Sequence, residues 1–201
     1  MNVQFLSLLF FLALRAANAF ADYEPTLLPE LIKKSDLIIE GEILSVYGKY
    51  VSFKPITILK RHSTVPIIKV DKFVDWTCAH RFDSYKPRQK EFLFLKFNKM
   101  SGHYYPLGAE NEGEMPAIGN FIYYKDQYLA IDTAVSSFKV YGGVVRGYKY
   151  DRHQFIKAVT GFSGHNSQPD SEKISPLIVA VDTSVNEVNR RIVAELHIYD
   201  K

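Results

Sequence analysis

Cysteine is almost missing from this chain. Cys78 is the only one in 201 residues, so no internal disulfide can form and the fold must rest on packing. We expect that thiol to be buried and inert. Asn-x-Ser/Thr sequons are absent, as are His-Glu-x-x-His, Cys-x-x-Cys and His-x-Glu spacings. The sequence therefore lacks a structural or catalytic zinc signature, and we expect no metal and no cofactor. P-loop and dinucleotide-binding fingerprints are missing too. Long apolar runs are confined to the first residues, and nothing after them is long enough to cross a bilayer.

That first run, Phe5–Leu14, is apolar except for Ser7. It has the length of a signal-peptide core and is too short for a membrane span. Ala17-Asn18-Ala19 and Ala19-Phe20-Ala21 both satisfy the small-x-small cleavage rule, so the mature chain is expected to begin at Phe20 or Asp22. No Lys or Arg precedes the run and Arg15 follows it, which departs from the usual basic leader. The expected location is secreted or periplasmic. What remains suffices for one domain with a real core, and 47% hydrophobic with 23% charged residues is ordinary for a folded chain.

Charge is unevenly spread. Residues 31–100 carry fourteen Lys or Arg against seven Asp or Glu, a net of +7, whereas residues 101–201 come to −2. A basic half points to an anionic partner or to a lysine-rich solvated surface that keeps strand edges soluble.

The predicted elements are mostly strands. Thr26–Lys34 reads as a short helix, with Thr26 as cap, Pro29 in the first turn and Lys33 and Lys34 at its end. Four runs of strand length follow: Leu37–Val46, Val51–Leu59, Ile67–Val74 and Glu91–Asn98, the last with Phe92 and Phe94 buried. Ser101–Tyr105 is expected to pair with the fourth. Gly41 inside the first strand and Pro55 inside the second mark bulges or bends. Leu107–Pro116 reads as a loop. Lys125-Asp126 and Gly142-Gly143 read as hairpin turns. Asp151 caps a helix to about Val159, a linker follows from Ser163, and Leu177–Val181 is ambiguous between strand and helix. Ser184 and Glu187 form a capping box for a last helix with Val185, Val188, Ile192 and Leu196 on one face.

The expected fold is mostly β with flanking helices: an OB-like five-stranded barrel followed by a β-hairpin and helix extension. The expected division is signal peptide 1–21, barrel 22–106, β-hairpin and helix extension packed on the barrel 107–162, and linker with C-terminal amphipathic helix 163–201. The leading helix, "SDLIIEGEILSV", "ITILKR", the lone-cysteine region and "EFLFLKF" together resemble the netrin-module or tissue-inhibitor-of-metalloproteinases superfamily, in particular its exported bacterial relatives. The resemblance implies an OB-like barrel with flanking helices. It does not imply protease inhibition, which in the animal inhibitors depends on an N-terminal Cys that coordinates zinc; neither Phe20 nor Asp22 is Cys.

Three constellations stand out. Glu110, Asn111, Glu112 and Glu114 could ligate Ca²⁺ but do not fit EF-hand spacing, and a solvated acidic loop is expected. Gly161-Phe-Ser163-Gly-His165 approaches a nucleophile elbow but follows a helix and ends in His. Trp76, His80, Arg81, Tyr85, Lys86, Arg88 and Lys90 interleave aromatic and basic character ahead of strand four, which makes them the candidate binding residues. The expected function is a non-enzymatic exported binding or interaction domain. Its partner is expected to be a protein or an anionic envelope or extracellular polymer, not nucleic acid. The alternatives are a binder of an anionic polymer through the basic barrel and a small hydrolase using Cys78 with His80, or His165 with a nearby acid. Amino-terminal sequencing of the exported protein is expected to read Phe20 or Asp22; retention of Met1 would overturn the export reading.

Overall fold

The computed structural model describes residues 23–60, 65–76, 79–109, 112–125, 135–165 and 187–199. The signal segment, Cys78, Glu110, Asn111, the downstream half of the Lys125-Asp126 turn, most of the linker, Leu177–Val181 and the Ser184 cap lie outside them.

Strand β1 (Leu37–Val46) is antiparallel to β2 (Tyr50–Lys60) on one edge and to β4 (Lys90–Asn98) on the other. The first residues of β2 pair with β3 (Ile68–Asp71), and β3 meets β5 (His103–Pro106) in parallel at Val70 and Tyr104. β5 returns antiparallel to β4, which closes the ring β1-β2-β3-β5-β4. That order, with one parallel contact, is the partly open five-stranded barrel expected from the sequence. Strand three is shorter than its apolar pattern implied, because Lys72–Asp75 leave the sheet.

Both strand breakers act as read. Glu40 pairs with Thr57 but Gly41 with Pro55, so Ile56 is bulged beside the proline. A side chain at Gly41 would approach within 3.2 Å of the Phe53 ring, which needs that space to fill the barrel.

β4 belongs to two structures at once. Leu93 and Leu95 lie inside the barrel with Leu37, Ile39, Phe53 and Val70. Phe92 and Phe94 face the opposite way, into a larger core under the helices. All four are fully buried. β4 also pairs through Glu91–Leu93 with β6 (Glu114–Ile118), while Leu95–Asn98 pair with β5. Phe94 sits at the fork: its N–H donates to Gly113 O (2.8 Å) and its carbonyl accepts from Leu107 N–H (2.9 Å). β5 and β6 thus run as one line along β4, interrupted by an excursion over 107–113.

From β6 the sheet continues through β7 (Phe121–Lys125) and β9 (Gly143–Asp151) to the edge strand β8 (Ser136–Val140). Among the described residues three helices cover it: α1 (Leu28–Lys34), α2 (Arg152–His165) and α3 (Glu187–Tyr199). None is long and apolar enough to cross a membrane.

Several local expectations are corrected. Thr26 does not cap α1; the cap position is Leu27, and the Leu28 N–H is instead taken by Glu195 Oε2 of α3 at 2.7 Å. Phe121–Lys125 pairs with β6 across a Gly119–Asn120 turn, and with β9. The β8–β9 turn is Tyr141-Gly142 rather than Gly142-Gly143, with Tyr141 itself left-handed (φ 55°). Gly143 is needed for another reason: a Cβ there would collide with Phe82 O at 1.4 Å. Asp151 does cap α2, accepting from Gln154 N–H at 3.0 Å. The helix runs on to His165, however, because Phe155, Ala158, Val159 and Phe162 form one buried stripe that packing rewards past Gly161. Ser163 is helical and bonds back to Val159 O (2.8 Å), so no nucleophile elbow exists there.

Because β4 is buried on both faces from Glu91 to Leu95, Phe94→Ala is expected to destabilise by about 3–5 kcal/mol and Leu93→Ala by about 2–5 kcal/mol. Met100→Ala, at a 97% exposed site, should stay within about 0.5 kcal/mol. Urea unfolding measures all three, and a neutral result for either β4 variant would refute burial on both faces.

Candidate binding surface

The connection between β3 and β4 divides the seven sequence-predicted residues between inside and outside. Trp76, His80, Lys86, Arg88 and Lys90 are exposed; the side chains of Arg81 and Tyr85 turn inward. Trp76 packs edge-on against Tyr23 at 5.7 Å. His80 lies 3.6 Å from Asp75 Oδ2, and Lys86 pairs with Asp83 at 2.9 Å.

Arg81 is a buried crosspiece. Its Nε donates to Glu114 Oε1 (3.1 Å), one Nη to Glu91 Oε1 and the other to Asp83 O. Its guanidinium is stacked at 3.8 Å from the Tyr85 ring and 4.1 Å from the Phe82 ring. Tyr85 OH donates to Glu114 Oε2 (3.0 Å) and accepts from Phe73 N–H (2.9 Å). Glu91 comes from β4 and Glu114 from β6, so this network locks the irregular connection onto the strands that join barrel and extension. Burial pushes Arg81 down, but Glu114 and Glu91 more than reverse this and leave it above its ordinary value. Burial, with the neighbouring Glu114 charge, pushes the Glu91 carboxyl well up.

The described acids of the acidic loop are not solvated, contrary to its composition. Glu112 and Glu114 are both buried. Glu112 Oε2 accepts from Ala109 N–H (3.0 Å), Thr26 N–H (3.2 Å) and Tyr23 OH (2.5 Å), which pins the amino-terminal segment onto the 107–113 excursion. Among the described residues no group of three or more His, Cys, Asp or Glu is placed to hold a metal.

The outer face of β2, β3 and β5 gathers aromatic and basic groups that the sequence reading passed over. The Tyr47 and Tyr50 rings stack at 4.6 Å, and the His103 imidazole lies on Tyr50 at 4.7 Å. Lys69 Nζ sits 5.4 Å from the centre of the Tyr50 ring. His103 Nδ1 lies 2.8 Å from Asp71 Oδ1, while Ser101 Oγ donates to Asp71 Oδ2 at 2.8 Å. Tyr47 remains 47% exposed and Tyr105 38% exposed, which leaves both rings open to a ligand. The signal lay in the Tyr47-Gly-Lys-Tyr50 turn and in the outward alternation of His103 and Tyr105, legible only once strand register is known. Chemically, the face offers flat aromatic area beside cations. Asp71 and His103 make a carboxylate–imidazole pair, but the adjacent Ser101 hydroxyl bonds the carboxylate rather than the imidazole, so no activated nucleophile results.

Compared with known proteins, the chain matches no family model, no curated protein and no solved structure.

Glu91 supplies a pH test. A carboxyl raised above its ordinary value of 4.5 binds more protons folded than unfolded, so stability falls as pH rises from there through the folded-state value. Glu91→Gln removes that loss and still leaves Arg81 paired with Glu114. The variant is expected to melt higher than the parent at pH 8 and to show a flatter dependence of Tm on pH; Glu112 and Glu195, also raised by burial, account for the remaining slope. Parallel profiles for parent and variant would refute the upward shift of Glu91.

Proposed function

We propose that this protein is an exported, non-enzymatic binding module that holds an extended acidic polysaccharide across the outer face of β2, β3 and β5. The observation that carries the reading is the stack Tyr47–Tyr50–His103 with Lys69 laid over Tyr50. OB-like barrels take extended polymers on the strand 2–3 face and on the loops after strands 1 and 4. Tyr47 stands in the first of those loops and Ser101 in the second. Aromatic rings support the apolar faces of sugars, and lysines neutralise their acid groups. The amino-terminal apolar run and paired cleavage sites support export, which makes a glycan a more accessible partner than nucleic acid. The strand runs that resemble the netrin-module superfamily support the same class, since its fold is an OB-like barrel.

Heparin-agarose provides the test. The protein is expected to be retained at about 0.15 M salt, where simple surface charge is largely screened. Tyr47→Ala should weaken binding by about 1–3 kcal/mol, the usual cost of losing a stacking platform. Lys69→Gln should flatten the dependence of affinity on salt, since one fewer counterion is released. Flow-through of the parent protein at that ionic strength would refute the reading.

A further inference from the structure

A second candidate site lies on different residues and does not rest on the reading of the β2–β3–β5 face. An open cleft of about 370 Å³ separates the 83–89 loop from the β8–β9 turn, enough for one sugar-sized ligand. Its walls are fixed from within. Gln89, almost fully buried, donates to Ser84 O (3.1 Å) and accepts from Lys86 N–H (3.0 Å). Asp83 reaches across to accept from Gly142 N–H at 3.0 Å.

Only two described non-glycine residues have positive φ, Arg88 (73°) and Tyr141 (55°), and both line this cleft. The left-handed region is uncommon for such side chains. Tyr141 has a structural reason to be there: its hydroxyl accepts from Lys90 N–H at 2.6 Å and lies 3.1 Å from Ala117 O, joining β4 to β6. Arg88 has none. Lys86-Pro87-Arg88-Gln89 forms a turn closed by Gln89 N–H to Lys86 O (3.3 Å), with Pro at its second position and positive φ at its third. This is a type II turn, whose third position ordinarily goes to Gly or Asn. The arginine backbone is held by its N–H bond to Ile43 O (2.8 Å), yet its guanidinium makes no ion pair or hydrogen bond among the described residues. Glycine or asparagine would make the same backbone bond without strain, so an arginine in this position points to a role for the side chain.

Charge indicates the ligand. Lys86 and Asp83 neutralise each other, which leaves the Arg88 fork as the uncompensated charge of the cleft. A guanidinium matches a carboxylate in a bidentate pair, and the Tyr141 ring, 41% exposed, offers a flat apolar wall. We propose that this cleft binds a single carboxylated sugar, with Arg88 holding the carboxylate and Tyr141 supporting the ring.

Titration of the full-length mature protein with glucuronate, followed by NMR, tests this. Saturation is expected with a Kd on the order of 1 mM, as for one charged sugar held by few groups. Glucose and acetate, which each present half of the ligand, should bind at least about tenfold more weakly. Arg88→Gln should lose binding by about tenfold or more with Tm unchanged. Arg88→Gly should lose it equally while melting at or above the parent, because glycine relieves the turn. The proposal is overturned if glucuronate fails to saturate, if acetate or glucose matches it, if Arg88→Gln binds as the parent does, or if Arg88→Gly is less stable. Tyr47→Ala and Lys69→Gln should leave glucuronate binding intact, so failure here and failure of the polysaccharide face are distinguishable.

Discussion

From Glu91 to Leu95 strand β4 has no face left for solvent, and most of the architecture follows from that constraint. Its leucines close the barrel and its phenylalanines close the helical layer. Each edge must then be paired, since a strand buried on both faces cannot satisfy its backbone with water. β1 takes one edge along its length; β5 and β6 share the other, with Phe94 bonded on both sides of their junction. A barrel and an open sheet are thereby fused through one strand. The 107–113 excursion is where the chain leaves the barrel wall and re-enters as extension.

That junction is polar as well as apolar. Glu91 and Glu114 project from the two strands that meet there, and two carboxylates cannot be buried together without a cation. Arg81 supplies it from the irregular segment, clamped between Phe82 and Tyr85. The segment is therefore ordered by electrostatics rather than by secondary structure. The same device recurs twice: Glu112 gathers the N–H groups and the phenol of the amino-terminal segment, and Glu195 takes the first free N–H of α1 while paired with Arg191. Four buried glutamates, in three joints, connect elements that are distant in sequence.

These joints explain what the sequence could and could not reveal. The five barrel strands, the bulge at Gly41 and Pro55, the Asp151 cap and the apolar stripe of α3 are local signals, carried by spacing and by residues with one backbone preference. The glutamate joints are not local. Glu110–Glu114 read as an acidic loop because Arg81, the partner of Glu114, and Tyr23, the partner of Glu112, are distant in sequence, and nothing in the spacing says that they meet. Arg81 and Tyr85 read as surface for the same reason. The Tyr141 turn was misplaced by one residue because Gly142-Gly143 satisfies turn chemistry, whereas the second glycine is required by the approach of Phe82 O. On the candidate surface, Tyr47, Tyr50, Lys69 and His103 come from three strands and a turn, and only strand register places their rings together.

The basic excess of residues 31–100 takes on a different meaning in this light. Arg81 is spent inside. Lys60 donates to Ile32 O (2.8 Å) and Lys33 O (3.1 Å), and Lys96 reaches Lys34 O (3.3 Å), so two strand lysines satisfy the carbonyl end of α1, where its dipole favours cations. Lys34 pairs with Glu30 and Lys86 with Asp83. Part of the basic character of residues 31–100 is thus engaged within the fold, closing a helix end or pairing with acids. Two places where a cation meets aromatic surface differ in character. One is the row of rings overlaid by Lys69, which suits a chain that continues in both directions. The other is a cleft whose Arg88 guanidinium has no ion pair among the described residues, which suits a single group. An extended polymer and a sugar acid would make different demands on the same kind of charge, and the two sites proposed for them, a barrel wall and a type II turn, differ in just that respect.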